Sequence, residues 1–170
     1  MFQTFRGALL LFIFLAGASV ASAREVQFRP EKFFAGHTRS SGIFRNMIGK
    51  SQRFTTDCHG RMRGKTLLLD QEFHYDDGHT QKRHWQIRSV GDHGYVGRAN
   101  DVVGEAHGEV KGARFHFNYA VALDPKNALL HVRLDQTMTL QNDGTVENRA
   151  TIKKLGVLLS RVTERFHRVD

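Results

Sequence analysis

Apolar and polar residues alternate along most of the chain beyond Gly36. In the clearest stretches, most apolar residues stand at every second position. These stretches are Leu67 to Tyr75, Trp85 to Ile87, Phe115 to Val121 and Leu130 to Leu140. A period of two is typical of a strand with one dry and one wet face, and sheets with one solvated face are antiparallel. The pattern therefore predicts an all-β protein built from antiparallel strands.

Turn signals separate these stretches at fairly even intervals, as in Asp76-Asp77-Gly78, Gly91–Gly94 and Asn142-Asp143-Gly144. Such residues supply the positive φ angles that hairpin turns require. Counting from Gly36, we predict eight or nine strands in an up-and-down meander, and closure into a barrel would remove the unpaired sheet edges. Pro30 predicts a short helical turn, Glu31–Phe34, that caps one end of the barrel.

The stretch from Leu155 to Phe166 fits two patterns. Its apolar residues alternate only loosely, and they also form a helical stripe. Gly156 interrupts a helix and a barrel needs a closing strand, so we favour a strand and leave the helix open.

Several polar residues share the parity of the apolar ones and are predicted to face inward, Thr56 among them. A barrel of eight strands is wide enough to be filled by side chains or to hold one small ligand. A few polar groups in an aromatic cavity suit a ligand with an apolar body and one polar end. The predicted ligand-binding residues are Gln71, Arg83, Trp85, Phe117, Tyr119, Gln136 and Asn148.

Arg83 carries the most specific hypothesis, because a buried arginine must be paired with an anion. In one interpretation its guanidinium binds the acid group of a fatty-acid-like ligand. In the other, Arg83 lies at the barrel rim with its head in water.

The N-terminus has the three parts of an export signal. Arg6 is followed by the apolar run Gly7–Val20 and by the small residues Ala21-Ser22-Ala23. The run is shorter than the roughly 20 residues that span a bilayer as a helix, so a retained anchor is the less favoured alternative. We predict a signal peptide over residues 1–23, a single domain over residues 24–170, and a periplasmic or secreted location.

The formal net charge is +8, or +7 once the predicted signal with Arg6 is removed. This balance favours acidic partners such as anionic lipid head groups. The basic residues are scattered and form no stripe interleaved with aromatic side chains, so we expect no nucleic-acid partner and at most peripheral membrane contact. The oligomeric state is left open.

The sequence shows no catalytic or metal-binding motif. Its ten histidines form neither HExxH nor a closely spaced ligand set, and there is no GxSxG nucleophile elbow. Cys58 is the only cysteine and is predicted to be a buried apolar residue, with His59 on the opposite face. We therefore expect no metal and no cofactor, and we assign no catalytic residue.

Four groups of residues resemble the bacterial DUF3833 family, over nearly all of the chain beyond the predicted signal. They are Asp76-Asp77-Gly78 with Arg83-x-Trp85; Gly97-Arg98-Ala99-x-Asp101-Val102-Val103-Gly104-x-Ala106; Asn148-Arg149-Ala150-x-x-Lys153-x-x-Gly156-Val157; and Phe33-Phe34-x-Gly36 with Arg53-Phe54. The resemblance implies a proteobacterial envelope protein with a lipocalin-like barrel and no established catalytic residues. Many members look like lipoproteins, whereas this chain has no cysteine after its apolar run.

Three functions are compatible with these observations. The first is a barrel that binds or carries a lipid or another amphipathic small molecule. The second is an isomerase or hydratase acting on a lipid through Arg83, Asp101 or Arg149. The third is an envelope interaction protein with a filled core. A cavity open to solvent would count against the third, and a carboxyl group with a shifted pKa inside it would favour the second.

Overall fold

The computed structural model describes residues 27–49, 51–123 and 131–169, so the predicted signal peptide lies outside the described residues. One short helix, α1 (Pro30–Phe33), precedes ten strands. The strands are β1 (Gly36–Asn46), β2 (Ser51–Arg63), β3 (Thr66–Tyr75), β4 (Thr80–Val90), β5 (Gly94–Ala99), β6 (Val102–Lys111), β7 (Arg114–Ala122), β8 (His131–Leu140), β9 (Val146–Lys154) and β10 (Val157–Arg168). None of the described helical residues forms a helix long and apolar enough to cross a membrane.

The strands form one closed antiparallel barrel. Each strand pairs with the next along the chain, and β10 pairs with β1, from Arg168 opposite Thr38 to Ser160 opposite Asn46. The predicted meander and its closure are confirmed. The ambiguous stretch is a strand from Val157 onward, because the closing position offers it hydrogen-bonding partners on both sides.

The predicted count of eight or nine strands is wrong, because the barrel has ten. The segment from Gly97 to Gly104 contains the hairpin between β5 and β6. Only Asn100 and Asp101 separate these two strands, and neither is glycine. Two-residue connections also join β2 to β3, β6 to β7 and β9 to β10, and each of these contains a glycine: Gly64-Lys65, Gly112-Ala113 and Leu155-Gly156. The turn at Asn100-Asp101, without glycine, leaves little trace in the sequence.

Helix α1 closes one end of the barrel, as Pro30 predicted. Phe28, Phe33 and Phe34 point into this end, and the Phe34 ring lies edge-on to Phe166 with centroids 5.3 Å apart. Helix α1 and these three phenylalanines are here called the plug. Its backbone lies so close to β2 that a Cβ atom at Gly60 would sit 1.8 Å from the carbonyl oxygen of Phe34. Position 60 therefore requires glycine, because any side chain there would collide with the backbone of the plug.

Aromatic side chains fill the half of the barrel next to the plug. Phe115 and Phe117 stack on each other, and Phe117 also packs against Trp85. A Cβ atom at Gly97 would lie 2.9 Å from the Phe117 ring, so this glycine makes room for the ring. Gly104 has a positive φ of 74° where the pairing of β6 with β7 is irregular, a position at which glycine allows the strand to bend. Within residues 27–49, 51–123 and 131–169, no such plug fills the opposite half of the barrel.

Candidate functional site

The unplugged half of the barrel contains a cavity of about 280 Å³, here called the open cavity. Its walls are the inward side chains of β1 to β4 and β7 to β10. Most of them are apolar, among them Phe44, Phe54, Phe73, Val121, Val132, Leu134, Ala150, Ile152 and Val162. The cavity counts against a completely filled barrel and has the apolar lining of a small-molecule site.

A buried carboxyl group forms part of the wall of the open cavity. Glu164 projects inward from β10 between Val162 and Phe166, and its side chain is buried. Ser40 Oγ donates a hydrogen bond to Glu164 Oε1 at 2.6 Å, and Thr56 Oγ1 donates to the same oxygen at 3.0 Å. Asn148 Nδ2 donates to Oε2 at 3.2 Å. These four residues are the Glu164 cluster.

Burial raises the pKa of Glu164 above its ordinary value, because the charged form loses its hydration inside the barrel. The hydrogen bonds from Ser40, Asn148 and Thr56 oppose this rise, as does the positive charge of Arg83, but they do not cancel it. The folded barrel therefore holds a proton on this side chain more tightly than the unfolded chain does. A protonated carboxyl group can both donate and accept hydrogen bonds.

The other member of the Glu164 cluster that faces the cavity is Asn148. Its side chain is buried and lines the open cavity, yet Asn148 Oδ1 has no hydrogen-bond partner among the described residues. A buried acceptor without a partner is costly, by about 1–3 kcal/mol. The amide therefore offers a hydrogen-bonding position to a molecule that enters the cavity.

Arg83 lies inside the barrel, where its charge is already paired. Its guanidinium nitrogens contact both carboxylate oxygens of Asp101, the shortest contact being 2.6 Å, and NH1 donates to Tyr119 Oη at 3.3 Å. Its guanidinium carbon also lies 5.8 Å from the centre of the Phe73 ring. Arg83 is therefore not at the rim with its head in water, and Asp101 occupies the position that a ligand's acid group was expected to take.

The predicted binding residues divide between two depths of the barrel. Arg83, Gln136 and Asn148 line the open cavity. The other four face a deeper space of about 50 Å³ near the plug: Gln71, Trp85, Phe117 and Tyr119. Gln136, Asn148 and Glu164 border both spaces, and the deeper one is large enough for about one water molecule.

Hydrogen bonds between side chains fix the orientation of the deeper polar residues. Trp85 Nε1 donates to Gln71 Oε1 at 3.0 Å, and Gln71 Nε2 contacts Cys58 Sγ at 3.7 Å. Burial raises the pKa of the Cys58 thiol to about 12, so this cysteine stays a protonated, unreactive core residue at neutral pH. These contacts indicate a structural role for Gln71, Trp85 and Cys58.

Arg149 does not share the interior with the other candidate catalytic residues. It lies on the outer wall and pairs there with Glu147, Nε to Oε1 at 2.7 Å. Arg83 and Asp101 neutralise each other. Among the residues that the structure describes, Glu164 is the buried carboxyl group with a raised pKa in the cavity wall.

A cluster of metal-ligating side chains lies on the outer wall, although the sequence spacing gave no sign of it. Pairing of β1 with β2 places His37 opposite His59, and both Nε2 atoms face Asp57 Oδ1, at 2.7 and 3.2 Å. These three ligand atoms lie close enough together to hold a metal ion. Arg39 Nε, however, holds the other oxygen of Asp57 at 2.9 Å, and its positive charge disfavours a cation there.

A wide concavity of about 850 Å³ lies over the outer wall around Gly42. Charged side chains such as Arg53, Glu147 and Arg165 line much of it, and it lies open to solvent along its length. A concavity of this kind does not exclude water from a bound molecule, so the interior is the better candidate for a small-molecule site.

Sequence reasoning missed Glu164 and Ser40. In a strand, Glu164 faces the same side as Val162 and Phe166, so the alternation predicts that it is buried. In a helix, which this stretch also fits, Glu164 would lie off the apolar stripe. The residues around Ser40 show no apolar alternation, so its place in the site is recognised only from its hydrogen bond to Glu164.

Two solved structures are similar to this barrel. The S-type phycobiliprotein lyase CPES from Guillardia theta has a TM-score of 0.63 and 8% sequence identity, covering 82% of this chain and 90% of the lyase chain. Rv2717c from M. tuberculosis also has a TM-score of 0.63, with 14% identity, covering 84% of this chain and 99% of the other. These matches confirm the lipocalin-like barrel, and at such low identity they show the fold alone.

Comparison of the sequence with curated proteins gives no match. The family model described as "Protein of unknown function (DUF3833)" matches residues 13–168, which is nearly the whole chain. The resemblance seen in the sequence motifs is thereby confirmed, and the chain belongs to the DUF3833 family.

Proposed function

We propose that this protein binds one small amphipathic molecule, such as a lipid fragment, in the open cavity. The observation that carries this proposal is a largely apolar space with a buried, hydrogen-bonded carboxyl group, that of the Glu164 cluster, in its wall. The apolar body of the ligand packs against side chains such as Phe44 and Leu134. Its polar end hydrogen-bonds to Glu164 and to the unpartnered Asn148 Oδ1.

The volume of the open cavity limits the size of the enclosed part of the ligand. One water molecule occupies about 30 Å³ of liquid, so 280 Å³ corresponds to roughly nine such volumes. A molecule with about nine or ten non-hydrogen atoms fits inside. A longer chain would extend out of the barrel.

The charges in the wall select the chemical class of the polar end. Arg83 is paired with Asp101 and leaves no free cation for a ligand carboxylate. Glu164 is uncharged when protonated and repels an anion when ionised. We therefore expect an uncharged polar end, such as a hydroxyl or amide, to bind better than a carboxylate.

Calorimetric titration with two eight-carbon probes tests this expectation. Octanol and octanoate match the cavity in length and differ in the charge of the polar end. We expect octanol to bind at least about tenfold more tightly at neutral pH, because leaving the octanoate charge poorly paired costs more than about 1.4 kcal/mol. Equal or tighter binding of octanoate would refute the proposed role of the Glu164 cluster.

Blocking the cavity tests whether binding occurs inside the barrel. Ala150 lines the cavity, and Ala150→Trp would fill much of it. Ala120 lies on the outer wall, so Ala120→Trp is the matched control. Octanol binding should be lost in Ala150→Trp and kept in Ala120→Trp. Ile152→Trp is a second blocking variant in case the first destabilises the fold, and unchanged binding in both blocked proteins would refute the site.

A second candidate function is acid–base catalysis, because a buried carboxyl group with a raised pKa lies in the wall of a ligand-sized cavity. An unsaturated eight-carbon ester would reveal it, since NMR detects both movement of the double bond and addition of water across it. Either reaction should be lost in Glu164→Gln if this carboxyl group moves the proton. No change in the ester over the course of the incubation would leave binding as the function.

We also propose that the chain is exported to the periplasm. The positive charge, apolar run and small residues of positions 1–23 support this location. Cell fractionation followed by mass measurement of the purified protein tests it. The expected product begins at Arg24, and a product that keeps the apolar run would contradict the proposal.

A further inference from the structure

Exposed apolar side chains concentrate at the open end of the barrel. Here they form one surface, the apolar rim, which consists of Met47, Ile48, Leu155, Val157 and Leu159. Ile48 and Leu155 are almost completely exposed, at 101% and 96%. Soluble domains rarely expose large aliphatic side chains side by side unless that surface binds a partner or a membrane.

The apolar rim is one continuous surface, because its two hairpins are neighbours in the barrel. β1 pairs with β10, and the backbone nitrogen of Met47 donates to the carbonyl oxygen of Leu159 at 3.0 Å. The β1–β2 hairpin therefore lies directly beside the β9–β10 hairpin. Both hairpins border the mouth of the open cavity, which Leu159 itself helps to line.

Basic side chains surround the apolar rim. The strand register places Arg45 opposite Arg161, Lys154 opposite Val157, and Lys153 opposite both Leu158 and Arg133. None of these five basic residues makes an ion pair with any described residue. The sequence from 151 to 161 and from 45 to 53 contains no aspartate or glutamate. Among the described residues, Asp76 and Asp77 of the β3–β4 turn lie beside the start of β2, where Asp77 Oδ2 accepts from Gln52 Nε2 at 2.8 Å and Asp76 Oδ2 accepts from the backbone nitrogen of Arg53 at 3.1 Å.

We propose that the apolar rim docks the protein onto an anionic lipid bilayer, with the mouth of the barrel facing the membrane. The tips Ile48 and Leu155 enter the headgroup region, and the basic residues contact lipid phosphates. This inference goes beyond small-molecule binding and does not depend on it. If the open cavity does hold an amphipathic molecule, this orientation would let the molecule pass between membrane and barrel without crossing water.

A bilayer fits the apolar rim better than a protein partner does. Ile48 and Leu155 each lie in a hairpin turn and are almost completely exposed, and such protruding side chains can enter a fluid headgroup layer without a shaped receptor. The unpaired basic residues complement a negative lipid surface, where each contributes about fivefold to binding. A second copy of the chain would bring these same positive charges against each other.

Cosedimentation with vesicles tests the proposal, using protein purified from the periplasm after expression of the full chain. The vesicles contain either phosphatidylcholine alone or phosphatidylcholine and phosphatidylglycerol in equal parts. We expect binding to the anionic vesicles only. It should weaken in about 1 M salt, where the screening length falls to about 3 Å. Absence of binding, or equal binding to neutral vesicles, would overturn the proposal.

Matched variants locate the contact. Ile48→Asn with Leu155→Asn removes both tips, and asparagine tolerates the positive φ of residue 155. Met62→Asn with Val90→Asn makes the same chemical change to exposed residues at the plugged end. The rim variant should lose at least about tenfold in vesicle binding, and the control should lose none. The opposite ranking, or equal loss in both, would overturn the assignment.

Two further measurements distinguish membrane docking from ligand binding and from self-association. Ala150→Trp blocks the cavity and should still bind vesicles, so failure of ligand binding and failure of docking can be told apart. All variants share one N-terminus, so any contribution from residues 1–26 is common to them. Sedimentation without lipid should show no self-association that depends on the rim. A dimer that the rim variant dissociates would mean that the surface pairs with a second copy, and would overturn membrane docking.

Discussion

Replacing Glu164 by glutamine should stabilise the protein, increasingly so as the pH rises. Burial raises the pKa of Glu164 in the folded barrel, whereas the unfolded chain has the ordinary value of 4.5. Between these two pKa values the folded protein holds a proton that the unfolded chain has released. The wild type therefore loses stability with rising pH through this window, and the glutamine variant lacks this loss.

The local hydrogen bonds allow glutamine to replace the protonated acid. Its Oε1 would accept from Ser40 and Thr56, as the carboxyl oxygen does now. A half-turn of the Asn148 amide would place Oδ1, which has no partner at present among the described residues, opposite the new Nε2 group. The substitution thus removes the buried ionisable group and leaves no hydrogen bond of the cluster unmade.

The magnitude follows from the release of one proton. The difference in unfolding free energy between Glu164→Gln and wild type should grow by up to about 1.4 kcal/mol per pH unit, beginning near the ordinary value of 4.5. Urea denaturation at a series of pH values measures this difference. Glu147→Gln, on the outer wall, is the control for loss of one carboxylate. A constant difference between Glu164→Gln and wild type across the pH range would refute the reasoning.

Three further predictions concern the stability of the barrel. Asp101→Asn leaves Arg83 buried without its counterion and should cost about 3 kcal/mol in urea denaturation; a change below about 1 kcal/mol would contradict the pairing. Gly60→Ala forces a methyl group against the Phe34 carbonyl and should cost about 1–3 kcal/mol or more, whereas Gly49→Ala, whose added Cβ would make only an ordinary contact with Asn46 Cβ at 3.8 Å, should be nearly neutral. The Cys58 thiol should react with a thiol reagent only at the rate of unfolding, and fast modification of the native protein would contradict its burial.

The barrel was largely predictable from the sequence, because every second residue of a barrel strand faces the interior and is usually apolar. The parity of Phe115, Phe117 and Tyr119, for example, correctly places all three inside. The number of strands was harder to predict, because the turn at Asn100-Asp101 lacks the glycine that most of the other turns contain. When the inward-facing positions keep the same alternation across a two-residue turn, the two strands look like one uninterrupted strand in the sequence.

The candidate site was only partly predictable. Inward parity identified Arg83 and Asn148, but parity does not tell which partner satisfies a buried charge. Asp101 reaches Arg83 from a turn, outside any alternating pattern, and so the pairing that removes Arg83 from anion binding appears only in the structure. The Glu164 cluster likewise joins residues of the first two strands with residues of the last two, and only barrel closure brings Ser40 next to Glu164.

Native mass spectrometry of the protein from its own cells tests the central claim most directly. We predict that wild type carries one small molecule per chain under gentle conditions, and that Ala150→Trp, isolated in the same way, carries none. The Ala120→Trp control should carry the same molecule as wild type. An unliganded wild-type mass, or the same bound mass in Ala150→Trp, would contradict a ligand in the open cavity.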